Sequence, residues 1–107
     1  DRTRGFIDKN NLKLMKKNSV IVNTSRGPII NEKDLIDALN NDIISCAALD
    51  VYDQEPLPRY HILRRTKNLI LTPHIGYVSE EAYEKFFDGY FRAIEAFINK
   101  NPINQIS

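Results

Sequence analysis

A chain of 107 residues is long enough for one small domain with a modest core and too short for two. Fifteen basic residues against fourteen acidic ones leave a formal charge of +1, with the two signs interspersed, so no nucleic-acid or membrane partner is expected. No apolar run approaches the ~20 residues that span a bilayer, and Asp1-Arg2-Thr3-Arg4 leads into no signal-like stretch, so a cytoplasmic protein is expected.

Along the chain, Asp8 is placed to cap a surface helix through Lys9–Lys17, whose basic last turn suits the negative end of the helix dipole. Ser19-Val20-Ile21-Val22-Asn23-Thr24 is a short β-branched run ended by Ser25-Arg26-Gly27-Pro28, the pattern of a buried strand entering a turn. Asn31 offers a cap for a helix over Glu32–Asn40 that places Leu35, Ile36 and Leu39 on one face. A second strand is expected over about Ile44–Val51, then a proline-bearing loop to Pro58 and a helical turn near His61–Arg65. Leu69-Ile70-Leu71-Thr72 reads as a third strand closed by Pro73. Ser79 caps a long final helix to about Asn99, opening on Glu80-Glu81 where the dipole favours acids.

The predicted strands, near 19–25, 44–51 and 69–73, are apolar almost throughout rather than alternating. Such strands are covered on both faces, which points to the α/β class: about three parallel strands with flanking helices, in a single unit over 1–107. Cys46 lies inside the run Ile43–Leu49 and reads as a small buried thiol; as the one cysteine, it can form no disulfide within the chain. The final helix holds six of the ten aromatics, at Tyr83, Phe86, Phe87, Tyr90, Phe91 and Phe97. A helix so apolar is expected to bury two faces, one on its own sheet and one on a further surface, and to promote self-association.

Three segments beyond the strand ends carry chemically capable residues: Arg26 after the first, Asp50 and Glu55 after the second, His74 after the third. In open parallel sheets ligands bind beyond the carboxyl ends of the strands, where these loops gather. An Arg holds a carboxylate by two parallel hydrogen bonds, a His trades a proton near neutral pH, and a carboxylate beside that His orients it and favours its charged form. Together they suit redox chemistry on a carbonyl or hydroxyl next to a carboxylate. No metal site is expected.

The segments Val22-Asn23-Thr24-Ser25-Arg26-Gly27-Pro28-Ile29-Ile30-Asn31-Glu32 with Asp34-Leu35, Ala47-Ala48-Leu49-Asp50-Val51-Tyr52 with Glu55-Pro56, and Leu71-Thr72-Pro73-His74-Ile75-Gly76 resemble three consecutive signatures of the D-isomer-specific 2-hydroxyacid dehydrogenases. The resemblance runs from about Thr3 to Pro102 and places the chain in the C-terminal half of the NAD-binding domain, part of a Rossmann-type sheet. It implies that Arg26 binds the substrate carboxylate and carbonyl, that His74 is the acid/base, and that Glu55 hydrogen-bonds the histidine. It further implies that Thr24, Arg26, Asp50, His74 and Gly76 line an NAD cofactor, with NADP as the alternative, and that the substrate is a 2-oxoacid or 2-hydroxyacid. Related formate dehydrogenases carry glutamine where this chain has Glu55, so the resemblance favours a hydroxyacid.

Gly5, Gly27, Gly76 and Gly89 are the only glycines, and none forms the G-x-G-x-x-G loop that seats a pyrophosphate. The chain is therefore expected to be a fragment lacking that half and the substrate domain, inactive alone and a weak cofactor binder. Two other readings are a non-catalytic nucleotide-sensing module of the corepressor type, which keeps the same Arg, Glu and His, and an inactive remnant. A homo-oligomer is expected.

Overall fold

The structure is a computed structural model that describes residues 2–106. Its elements run α1 (Lys9–Leu14), β1 (Val20–Asn23), α2 (Glu32–Asn40), β2 (Cys46–Leu49), β3 (Leu69–Leu71) and α3 (Glu80–Ile98), with 3-10 turns at Gly27–Ile29 and Ile62–Arg65. The strands form one parallel sheet in the order β1-β2-β3, as the uniformly apolar strands implied.

Local chemistry sets the helix starts. Asp8 Oδ1 accepts the Asn10 and Asn11 N–H groups at 2.8 and 3.1 Å, and Asn11 Oδ1 accepts the Asp8 N–H at 3.2 Å, a reciprocal cap on α1. The helix stops at Leu14, short of the predicted Lys17, because Met15 turns extended. Only Leu12 of α1 is buried, so little packing favours a further turn. Asn31 Oδ1 accepts the Asp34 N–H at 3.1 Å and starts α2 at the predicted residue.

The core lies between α1, α2 and one face of the sheet. Leu12, Leu35, Leu39, Ile44 and Leu63 are fully buried there, with Ile21, Leu69 and Leu71 packed against them. The opposite face differs from expectation. Val20, Val22 and Ile70 remain exposed, and Cys46, aligned with Val20, is half-buried rather than enclosed. Within residues 1–76 both packed helices, α1 and α2, lie on one side of the sheet.

Backbone contacts divide the chain into two compact units, Asp1–Gly76 and Tyr77–Ser107, where the sequence suggested one. The second unit is built on α3. Ser79 Oγ accepts the Ala82 N–H at 3.2 Å, and Glu80 and Glu81 occupy the first turn. The rings of Tyr83 and Phe86, and of Phe87 and Tyr90, meet edge to face at centroid separations of 6.5 and 6.4 Å.

Candidate active site at the carboxyl edge of the sheet

At the end of β1, Asn23 is buried and organises the turn that follows. Its Oδ1 accepts the Ser25 N–H at 3.1 Å and its Nδ2 donates to the Arg26 carbonyl at 2.9 Å. Arg26 is exposed, with Nη1 donating to the Ser25 carbonyl at 2.7 Å. Gly27 lies directly against the chain leaving β2: a Cβ here would stand 1.9 Å from the Tyr52 carbonyl carbon and 2.5 Å from the Asp53 nitrogen. No other residue type fits this approach.

Beyond β2, Asp50 is 5% exposed and acts as a clasp on the end of β3. Its Oδ1 accepts the Thr72 hydroxyl at 2.5 Å and the Ile75 N–H at 2.9 Å, and its Oδ2 accepts the Gly76 N–H at 2.8 Å. The Thr72 hydroxyl first, then the Ile75 N–H, hold its carboxyl below the ordinary 3.8, against burial that acts the other way. A Cβ on Gly76 would meet Asp50 Oδ2 at 3.0 Å and Thr24 Cβ at 3.8 Å, so Thr24, Asp50 and Gly76 form one cluster.

Between the clasped residues, His74 takes a φ of 57°. The left-handed conformation costs a non-glycine residue of order 1–3 kcal/mol and concentrates at working sites. In that conformation His74 Nδ1 lies 2.6 Å from Glu55 Oε2. The other oxygen, Glu55 Oε1, accepts the Tyr52 N–H at 2.9 Å. These bonds, from His74 first and then from Tyr52, hold the Glu55 carboxyl below the ordinary 4.5, and the charge of Arg26 acts in the same direction.

Tyr52 is the joint of this edge. Its buried hydroxyl donates to the Thr72 carbonyl at 2.7 Å and lies 3.1 Å from the Leu49 carbonyl, tying the ends of β2 and β3 together. Burial, and next the charge of Asp50, push its phenol above the ordinary 10.0, so it remains a donor. Tyr52, Glu55, Leu57, Leu71 and His74 line a cavity of about 580 Å³, with Arg64 at its wall. Arg64 Nε and Nη2 donate to the Pro58 and Leu57 carbonyls at 3.0 and 2.8 Å, fixing the far end of the Glu55 loop. Among the described residues, no group of three or more His, Cys, Asp or Glu could hold a metal ion.

The six residues singled out from the sequence thus fall into two groups: the Glu55–His74 pair with Arg26 near enough to favour the Glu55 charge, and the Thr24–Asp50–Gly76 cluster. The segment 74–76 belongs to both. Tyr52, Thr72, Asn23 and Glu32 were not singled out, although they hold the site in place. For Tyr52 a local signal existed, a backbone N–H three residues before an acid; for Thr72 and Glu32 the partners are 22 and 21 residues away.

Residues 1–76 match the family of D-isomer specific 2-hydroxyacid dehydrogenases in its NAD binding domain. The chain is 38% identical over 105 residues to a hydroxypyruvate reductase of Blautia hydrogenotrophica, covering 98% of this chain and 33% of that protein. It is 44% identical over 81 residues to a glyoxylate reductase of Aeropyrum pernix, covering 76% of this chain and 24% of the relative. A solved D-isomer specific 2-hydroxyacid dehydrogenase of Xanthobacter autotrophicus, in complex with NADPH and MES, superposes with a TM-score of 0.75 at 29% identity, over 99% of this chain and 43% of its own. The chain therefore spans a quarter to a third of the length of these curated relatives. With its three parallel strands, flanking helices and matching profile, it belongs to the D-isomer specific 2-hydroxyacid dehydrogenase family, as part of a Rossmann-type NAD binding domain.

Proposed function

We propose that this chain supplies the acid/base and carboxylate-binding groups of an NAD-dependent oxidoreductase that interconverts 2-oxoacids and D-2-hydroxyacids. The observation that carries the reading is the 2.6 Å contact between Glu55 Oε2 and His74 Nδ1 at the carboxyl edge of a parallel sheet. With Nδ1 committed to a carboxylate, proton transfer falls to Nε2, and the ionised Glu55 stabilises the imidazolium. In reduction, His74 gives its Nε2 proton to the carbonyl oxygen and Arg26 holds the neighbouring carboxylate; in oxidation, His74 takes the hydroxyl proton back.

Thr24, Arg26, Asp50, His74 and Gly76 fit the nicotinamide end of a dinucleotide. The Asp50 clasp leaves the backbone of 74–76 fixed and bare of side-chain bulk at Gly76, beside Thr24. NAD, when bound, supplies hydride transfer; the residues of this chain bind, orient and move the proton. None of its four glycines forms a G-x-G-x-x-G loop, so weak binding of NADH to the 107-residue chain alone goes with this reading. Dependence on the nicotinamide pool inside the cell supports a cytoplasmic location. The open aromatic residues of α3 support a homo-oligomer, and light scattering at micromolar concentration checks it: a monomeric mass counts against.

The activity is tested on the protein that carries this chain, by NADH and NADPH oxidation with glyoxylate, hydroxypyruvate and longer 2-oxoacids. Turnover with one of them is expected. Inactivity with the whole series, in protein that binds the cofactor, overturns the reading in favour of a nucleotide-sensing module.

A further inference from the structure

The loop that carries Glu55 is also fastened from α2, by a residue with no part in the chemistry above. Glu32, the first residue of α2, turns its carboxylate inward, with its side chain only 17% exposed. Its Oε1 accepts the Asp53 N–H at 2.9 Å. That N–H belongs to the Tyr52–Asp53 peptide, the unit against which Gly27 is pressed. The N–H of Tyr52, one residue earlier, holds Glu55 Oε1. Two supports brace the same point: Arg4 Nη1 reaches Asp53 Oδ1 at 3.1 Å, and His61 Nε2 lies 3.6 Å from Glu32 Oε2. His61 Nδ1 accepts the Leu63 N–H at 3.4 Å, which leaves the Nε2 edge of the ring toward Glu32.

We infer that Glu32 is a positioning residue for the Glu55–His74 pair, acting through the Tyr52–Asp53 peptide. The rigid Tyr52–Asp53 peptide plane contains the Tyr52 Cα, so a hydrogen bond at Asp53 N anchors that carbon, to which the Tyr52 N–H that reaches Glu55 is attached. Gly27 presses on that peptide from the Arg26 turn while Glu32 holds it from α2. One joint thereby sets both the carboxylate-binding turn and the acid that orients the histidine. The inference rests on the acid/base role proposed for that pair, but its test does not need turnover.

The test follows the Glu55 carboxyl by site-resolved carbon-13 NMR titration in the protein and in Glu32→Ala, Glu32→Asp and Glu32→Gln variants, each first shown folded by its amide spectrum. Loss of the Tyr52 N–H bond raises the Glu55 titration point toward the ordinary carboxylate value. Removing a nearby negative charge by itself moves it the other way, so the sign separates position from electrostatics. Glu32→Ala is expected to raise it. Glu32→Asp, which keeps the charge at the start of α2 but withdraws the acceptor by one methylene, is expected to do the same, and it serves should the alanine variant not fold. Glu32→Gln keeps an acceptor oxygen and is expected to rescue the position, with no upward shift. An unchanged or lowered Glu55 titration in Glu32→Asp, or an upward shift in Glu32→Gln as large as in the other two, overturns the inference. Inactivity of the parent toward 2-oxoacids, with these shifts intact, removes the proposed reaction and leaves the positioning role standing.

Discussion

Glu55 and His74 are 19 residues apart in sequence, on loops that leave different strands, and their side chains meet at 2.6 Å. The acid is fixed by a backbone N–H on its other oxygen, and the histidine sits in a left-handed backbone conformation between residues clasped by Asp50. Both partners are therefore presented by the backbone before any substrate arrives.

Removing His74, the proposed proton carrier, is expected to damage turnover rather than binding. His74→Gln should lower kcat by roughly 10²–10⁴-fold, the usual share of a positioned general acid or base. Glu55 has a folded-state pKa below its ordinary 4.5, so its pairing contributes stability that is complete above that value and lost as pH falls through the lower folded one. Glu55→Gln should erase this acid-side loss, as read by melting temperature against pH. An unchanged profile removes the ion pair from the stability of the site.

The Arg26 guanidinium donates to the neighbouring Ser25 carbonyl and is exposed. Arg26→Ala should raise KM for a 2-oxoacid by about 10- to 100-fold, the loss of one charged hydrogen-bonded contact of about 1.5–3 kcal/mol. Arg26→Lys should recover little of it, since an ammonium cannot grip a carboxylate at two points. Steady-state kinetics on the parent protein decide this, and equal KM values would take Arg26 out of substrate binding.

Gly27→Ala forces a methyl group into the Tyr52 carbonyl, 1.9 Å from its carbon. Backbone cannot yield as a flexible side chain does, so the cost should be about 3 kcal/mol, at the upper end for overpacking. Urea unfolding measures it. A variant within 0.5 kcal/mol of the parent, a range ordinary for surface changes, would mean that the two loops are not pressed together in solution.

Asp50→Asn exchanges one carboxylate oxygen for an NH2 donor, which then faces either the Gly76 N–H or the Ile75 N–H and Thr72 hydroxyl. It should lower the melting temperature by several degrees at neutral pH. The Asp50 carboxyl is held below its ordinary 3.8, so its contribution is complete above that value and disappears as pH falls through the folded one. The difference between parent and variant should therefore shrink in strong acid, and a difference constant with pH would contradict the assignment.

The sequence by itself determined what is local. Asp8, Asn31 and Ser79 announced three helix starts because a capping side chain satisfies N–H groups two or three residues away. The parallel sheet was legible in strands that lack a polar face, and Arg26, Glu55 and His74 in the loops that follow them. Tertiary structure alone decided three other things: which sheet face the two helices of residues 1–76 cover, that Asp50 serves as a clasp, and that Gly27 and Glu32 converge on the Tyr52–Asp53 peptide. Caps and apolar runs are set by neighbours along the chain. Contacts made across about 20 residues or more depend on strand order and register, which bring distant loops to one edge only once the sheet has formed.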